Sequence, residues 1–168
     1  MAGKSKESVM SLGYLAQGGE HQRLGWIDGG VLEVLLDGRA TRGQLMVVRS
    51  TLGRDAASPL HVHHREDEMF VLLAGHGLFY LGDEVHELGA GGAIFLPRDV
   101  PHAYRFLSEE VDMLTLCTPS GMEDFFRGAG HDLADGATEW EVSMPDLVAA
   151  AAAGGQEILG PPPPLPSR

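Results

Sequence analysis

Residues 61–68 read His-Val-His-His-Arg-Glu-Asp-Glu, and a further histidine, His102, follows the turn Pro97-Arg-Asp-Val-Pro101. Imidazoles and carboxylates are ordinary ligands of divalent first-row metals, so what matters is whether these can converge. His61 and His63 alternate with Val62, and on a strand both rings point to one face. Glu68 follows His63 after four mainly polar residues, so a strand that turns and returns brings its carboxylate beside the two rings. Glu66 is the rival carboxylate; Glu68 is preferred because it opens the apolar run Met69–Leu73, and Asp67 is read as a turn residue. His102 begins His-Ala-Tyr-Arg-Phe, in which His102, Tyr104 and Phe106 share a face. Three imidazoles and one carboxylate with no thiolate leave room for water or substrate, which suits catalysis better than structural stapling.

A histidine-rich turn is often merely solvated. Four ligand types at strand positions argue for more than that, and the expected metal ligands are His61, His63, Glu68 and His102. His64 falls on the opposite face and is read as supporting or exposed. His21, His76, His86 and His131 have no partner at a useful spacing and are read as solvated or loop residues.

The elements that must position these ligands are short. Apolar runs alternate with Gly, Asp and Pro turns about every ten residues, the pattern of an all-β domain. Strands are expected near Val31–Leu36, Gln44–Thr51, Leu60–His63, Glu68–Ala74, Gly77–Leu81, Glu84–Leu88, Ala93–Leu96, Ala103–Phe106 and Val111–Cys117. Gly82-Asp83 is a two-residue hairpin signal. The glycine-rich bend at Gly89–Gly92 precedes a strand, so it does not read as a phosphate-binding loop. Two helices are expected, Gly121–Arg127 and Pro145–Ala153, the second stopping at Gly154-Gly155. The organisation expected is an N-terminal segment over residues 1–20, a barrel over 21–128, a helical extension over 129–160 and a Pro-rich tail, disordered or surface-lying, over 161–168. No internal repeat is evident.

Chain length allows one domain with a substantial core: 168 residues. Twenty-four acidic against twelve basic side chains, a formal charge of -12, argue against nucleic acid and anionic membrane surfaces as partners. The polar first residues lack the apolar stretch of a signal peptide, and no window is apolar enough for a membrane span. The single cysteine, Cys117, excludes an intramolecular disulfide; a buried, inert thiol and a cytoplasmic location are expected.

The inward faces of these strands predict a pocket. Phe70 and Leu72 share the face of Glu68, and Tyr104 and Phe106 that of His102. Met46, Met113, Met122, Phe125 and Phe126 are candidates for further wall or lid positions. Any one of them alone would read as core packing. Together they predict an apolar pocket with one metal-bearing pole, suited to a flat aromatic or polyketide-like substrate with adjacent oxygen donors.

These residues resemble the two motifs of the cupin superfamily. The first runs from His61 through His63 and Glu68 to Gly75, and the second from Gly91 through Pro97 to His102. The stretch from about Gly43 to Gly128 resembles single-cupin quercetin 2,3-dioxygenase-like proteins, on Pro59–Glu68, Pro97–His102, Thr118–Phe126 and, more weakly, Ile158–Pro161. Asp55 and Asp99 stand where the family pattern often has glycine, and Phe106 where it often has asparagine. The resemblance implies a double-stranded β-helix, the jelly-roll barrel of the cupins, with short C-terminal helices, and it implies a homodimer.

It also implies an activity. The metal would be one divalent transition ion per chain (Ni, Mn, Fe or Co), Glu68 would serve as ligand and as proton acceptor for a substrate hydroxyl, and O2 would cleave a flavonol-like or other enolic ring. The alternatives are a non-redox cyclase, isomerase or dehydratase using Zn, and a small-molecule-binding protein without turnover.

Overall fold

The computed structural model describes residues 13–166. Of the N-terminal segment expected over residues 1–20, residues 1–12 lie outside the described residues, as do the last two residues of the tail. The strands are β1 (Gln22–Gly25), β2 (Val31–Leu36), β3 (Met46–Gly53), β4 (Leu60–His63), β5 (Asp67–Ala74), β6 (His76–Leu81), β7 (Glu84–Gly89), β8 (Ala93–Leu96), β9 (His102–Phe106), β10 (Glu110–Thr118), β11 (His131–Asp132) and β12 (Gln156–Gly160). The helices are α1 (Gly38–Thr41), α2 (Met122–Ala129) and α3 (Met144–Gly154).

Two antiparallel sheets face each other. One has the order β11-β1-β2-β3-β10-β5-β8 and the other β12-β4-β9-β6-β7. This is the all-β jelly-roll architecture of a cupin barrel, with short helices at one side. Side-chain alternation builds its interior. On β3, Met46, Val48, Ser50 and Leu52 are buried while their neighbours are not; on β10 the buried set is Val111, Met113, Thr115 and Cys117. Register stacks these into layers, with Cys117 opposite both Met46 and Glu68, and Met113 opposite both Ser50 and Leu72.

All nine expected strands are present, with ends shifted by up to two residues. Asp67, read as a turn residue, is the first residue of β5, where its carboxylate accepts from the Arg98 guanidinium at 2.9 and 3.0 Å. His76, His86 and His131 lie on strands, with His76 and His86 exposed and His131 partly so, in keeping with the solvated reading. The segment read as a helical extension also supplies β11 and β12, which pair with β1 and β4. The tail lies on the surface, where Tyr80 donates to the Pro164 carbonyl at 3.0 Å and Arg105 to that of Pro163 at 3.2 Å. Among the described residues no helix is long and apolar enough to cross a membrane.

Helices α2 and α3 cover one mouth of the barrel. Phe125 and Phe126 of α2 meet the Trp26 ring edge-on, at centroid distances of 5.5 and 5.1 Å. In α3, Ser143 caps the first turn by accepting from Asp146 N–H, and Leu147 and Ala151, four residues apart, form the buried stripe. Arg127 ties α2 to the turn before α1 through Asp37 at 2.9 Å and to β1 through Gln22 at 2.8 Å.

Candidate metal centre

Strands β4 and β9 lie side by side with His61 directly opposite His102, and β5 brings Glu68 across from the other sheet. One ligand atom from each of His61, His63, Glu68 and His102 falls within 4.8 Å of all the others. The turn between β4 and β5 does what its polar sequence requires, returning the chain so that Glu68 Oε2 sits 3.1 Å from His102 Nε2 and 3.8 Å from His63 Nε2. The His63 and His102 rings stack at 5.1 Å with their planes 9° apart.

Each ring is oriented through its far nitrogen. His61 Nδ1 faces the Pro59 carbonyl at 2.8 Å and His102 Nδ1 faces that of Val100 at 2.9 Å. With the Nδ1 proton donated to the carbonyl, Nε2 is the nitrogen turned to the converging atoms. It can offer a lone pair to a cation or, when protonated, as in His102, donate to Glu68. For His63 the corresponding neighbour is the carboxylate of Glu66, 3.8 Å from Nδ1. Glu66, weighed in the sequence as rival ligand, thus lies behind His63 rather than among the converging atoms.

The electrostatics divide the cluster between an ionised Glu68, a raised His63 and a lowered His61. Burial pushes the Glu68 carboxyl up, but the nearby charge of His63 and the hydrogen bond from His102 outweigh it and hold the group below its ordinary range. Burial by itself would pull His63 down; the carboxylates of Glu68 and Glu66 reverse that and raise it. His61 is pulled down to about 3, by burial and then by the charges of His102 and His63.

The donor set fits a divalent metal. Both ring nitrogens of His63 and both oxygens of Glu66 are buried without a hydrogen-bond partner, an arrangement that is costly unless a cation balances it. The Arg65 guanidinium, 3.9 Å from Glu66 Oε1, partly offsets that carboxylate, which leaves Glu68 as the carboxylate among the converging atoms. Imidazole and carboxylate ligands suit Ni, Co, Mn, Fe and Zn alike.

His64 takes the outward direction expected of it. It is half exposed, with Asp99 2.8 Å from its Nδ1 and Glu157 3.6 Å from its Nε2. Asp99 and Asp55, where the family pattern often has glycine, both adopt positive φ, 64° and 68°. Aspartate is among the few residues that tolerate this conformation, so the glycine-like backbone is retained without glycine. At Asp99 it directs N–H onto the His63 carbonyl, at 2.8 Å.

An apolar cavity runs from His61 and Glu68 towards the helices. Of the expected wall, Phe70, Tyr104, Met113, Met122, Phe125 and Phe126 line it. Met46, Leu72 and Phe106 do not: they are fully buried in the core, Met46 against Cys117 and Leu72 against Met113, while the Phe106 ring packs on Phe79 and Tyr104. Sharing a face with a ligand fixes direction, not depth along the barrel. The wall also contains Trp26, Ile27, Leu32, Ser50, Ser58, Pro59, Thr115, Leu147, Ala151, Gln156 and Ile158, none of them foreseen.

Water-sized occupants have about 60 Å³ inside the cavity, and about 450 Å³ in an outer basin that shares Trp26, Ile27, Pro59 and Leu147 with it. Cys117 is fully buried, its thiol pushed well up by burial and by Glu68, in keeping with an inert role.

Residues 48–119 match the family of the cupin domain. Over 118 residues the chain is 28% identical to quercetin 2,3-dioxygenase of Bacillus subtilis, a match covering 70% of this chain and 34% of that protein. The chain thus spans about a third of the length of that curated relative. Among solved structures, KdgF from Halomonas sp. superposes with a TM-score of 0.56 at 22% identity, over 61% of this chain and 92% of that one. A predicted oxalate decarboxylase from Thermotoga maritima gives 0.54 at 21% identity, over 63% and 99%. At those identities the likeness is one of fold. The segment that matches the cupin domain, residues 48–119, contains all four converging residues, His61, His63, Glu68 and His102.

Proposed function

We propose that the chain is a metal-dependent dioxygenase that cleaves a flavonol-like or other enolic aromatic or polyketide substrate with O2. The observation carrying this reading is the convergence of His61, His63, Glu68 and His102 at one end of an otherwise apolar cavity. The likeness to the Bacillus subtilis dioxygenase supports it. A divalent metal held by these four residues would supply Lewis acidity, lowering the pKa of a substrate hydroxyl and exposing the substrate to O2.

The chain's own residues do the rest. Glu68, kept ionised by its neighbours, accepts the hydroxyl proton. Phe70, Tyr104 and Met113 flank the substrate, and Phe125 and Phe126 close over it, excluding water that would reprotonate an enolate. Burial pushes the Tyr104 phenol up, so Tyr104 stays neutral and competes for no proton. The narrow inner cavity suits a small enol without rearrangement. A full flavonol would need Trp26 and the helices to give way.

The test is oxygen uptake by protein loaded separately with Ni, Mn, Fe or Co, in the presence of flavonols and smaller enols. Stoichiometric consumption of O2 and substrate is expected with at least one metal. Turnover without O2 would instead assign a non-redox cyclase, isomerase or dehydratase, and binding without turnover would assign a small-molecule-binding protein.

A further inference from the structure

Gln156 is the first residue of β12, and its register partner on β4 is His63. Paired residues on antiparallel strands project to the same face, so the Gln156 side chain lies on the inward side beside a metal-ligand candidate. Two residues on, Ile158 stands opposite His61 in the same way. Both line the cavity that holds His61 and Glu68.

The Gln156 amide is out of place in structural terms. The residue is 6% exposed, and Nε2 is buried with no hydrogen-bond partner. The wall does hold side-chain acceptors, on Ser50, Ser58, His61, Glu68 and Thr115, but none of them pairs with Nε2. Another polar wall residue, Ser58, already accepts from Tyr104 N–H at 3.0 Å. A buried donor without an acceptor lowers stability, and a leucine or methionine would fill the same volume without that cost.

The position is rigidly set. Gly155 ends α3 with φ 80°, donating to the Ala151 and Ala152 carbonyls, and a Cβ there would lie 2.7 Å from Arg65 Cδ. The positive φ favours glycine at this turn, which leads directly into Gln156 at the start of the strand.

We propose that Gln156 is a substrate-binding residue whose side-chain amide donates a hydrogen bond to an oxygen of an enol-ketone held at the metal end of the cavity. This rests on the reading of that end as a site for an oxygen-bearing enolic substrate. An unpaired donor retained at the cost of stability is what a binding site looks like before its ligand arrives.

The experiment uses the full chain loaded with zinc and kept under nitrogen, so that binding is read without oxidation. Two probes are titrated by quenching of tryptophan fluorescence, Trp26 being in the wall: quercetin, and maltol, a small hydroxypyranone with the same enol-ketone core. Gln156→Met should bind the probes about five- to tenfold more weakly, the worth of one neutral hydrogen bond. Its zinc content should not change, and its melting temperature should rise by about 2–4 °C as the unpaired donor disappears. Gln156→Asn, which keeps the amide but withdraws it by one methylene, should also weaken binding while staying folded.

A merely structural glutamine would lower melting temperature and affinity together, and that result overturns the proposal. So does unchanged affinity in both variants, or failure of both probes to bind the wild type. Maltol binding without quercetin binding would defeat the flavonol reading alone, and Gln156 would still stand if Gln156→Met weakens maltol.

Discussion

His61 and His102 face each other across β4 and β9, their ring centroids 4.4 Å apart and their planes at 67°. The two strands are registered at this pair, so a slip of β4 by one residue would turn its imidazoles away from His102 and Glu68. Placing the site depends on strand pairing, and keeping a cation there depends on the side chains.

Removing one imidazole should therefore empty the site without unfolding the barrel. His63→Ala and His102→Ala are each expected to retain little or no metal after dialysis, with far-UV circular dichroism unchanged. His64→Ala, altering a half-exposed ring paired with Asp99 and Glu157, should keep its metal. Elemental analysis per chain checks all three, and full occupancy in either of the first two would break the ligand assignment.

Glu66 touches no converging atom yet lies 3.8 Å behind His63. Losing its charge while keeping its shape, in Glu66→Gln, should weaken metal affinity about 10–100-fold, the usual effect of removing a partner that orients a ligating histidine. Competition with a chromogenic chelator measures this. Equal affinity in the variant would leave Glu66 without a role in the site.

Glu68→Gln separates holding a metal from moving a proton. Glutamine still offers an oxygen but accepts no proton at neutral pH, so part of the metal should remain while turnover falls by about 10²–10⁴-fold. Turnover normalised to bound metal is the quantity to compare. Wild-type values would assign the proton to another acceptor.

Far from the site, Asp37 links α1 to α2. Burial pushes its carboxyl up, but hydrogen bonds from Ala40 N–H, the Arg127 guanidinium and Arg39 N–H hold it below the ordinary value of 3.8. A depressed carboxylate stabilises the fold above its unfolded pKa and loses that contribution as pH falls through the folded one. Asp37→Asn keeps the helix cap and loses the charge. It should be less stable than wild type at pH 7 by up to about 1 kcal/mol, with the gap closing as pH falls below 3.8. Urea melts at several pH values would reveal a pH-independent gap if the charge is irrelevant.

Much of the barrel was legible because the signal is repeated. Strands β2, β3, β5 and β10 alternate buried and more open positions, and Glu68 sits on that alternation, while the histidines were legible from their own spacing. Gln156 was not legible. A single polar residue after Gly154-Gly155 gives no periodic cue, and its place beside His63 is fixed by a pairing nearly a hundred residues away in sequence. Trp26 was hidden in the same way, since its contacts with Phe125 and Phe126 are tertiary. Met46, Leu72 and Phe106 show the converse error: period two reveals which way a side chain points, but not which layer it occupies.

The pairing of β12 with β4 also orders events in time. His61 to His102 leave the ribosome well before Gln156 to Gly160, and until those last residues dock, β4 is a bare edge beside the ligand histidines. The flank of β4 beside the ligand histidines is thus the last edge of its sheet to be covered, by a long-range pairing of the kind that forms slowly.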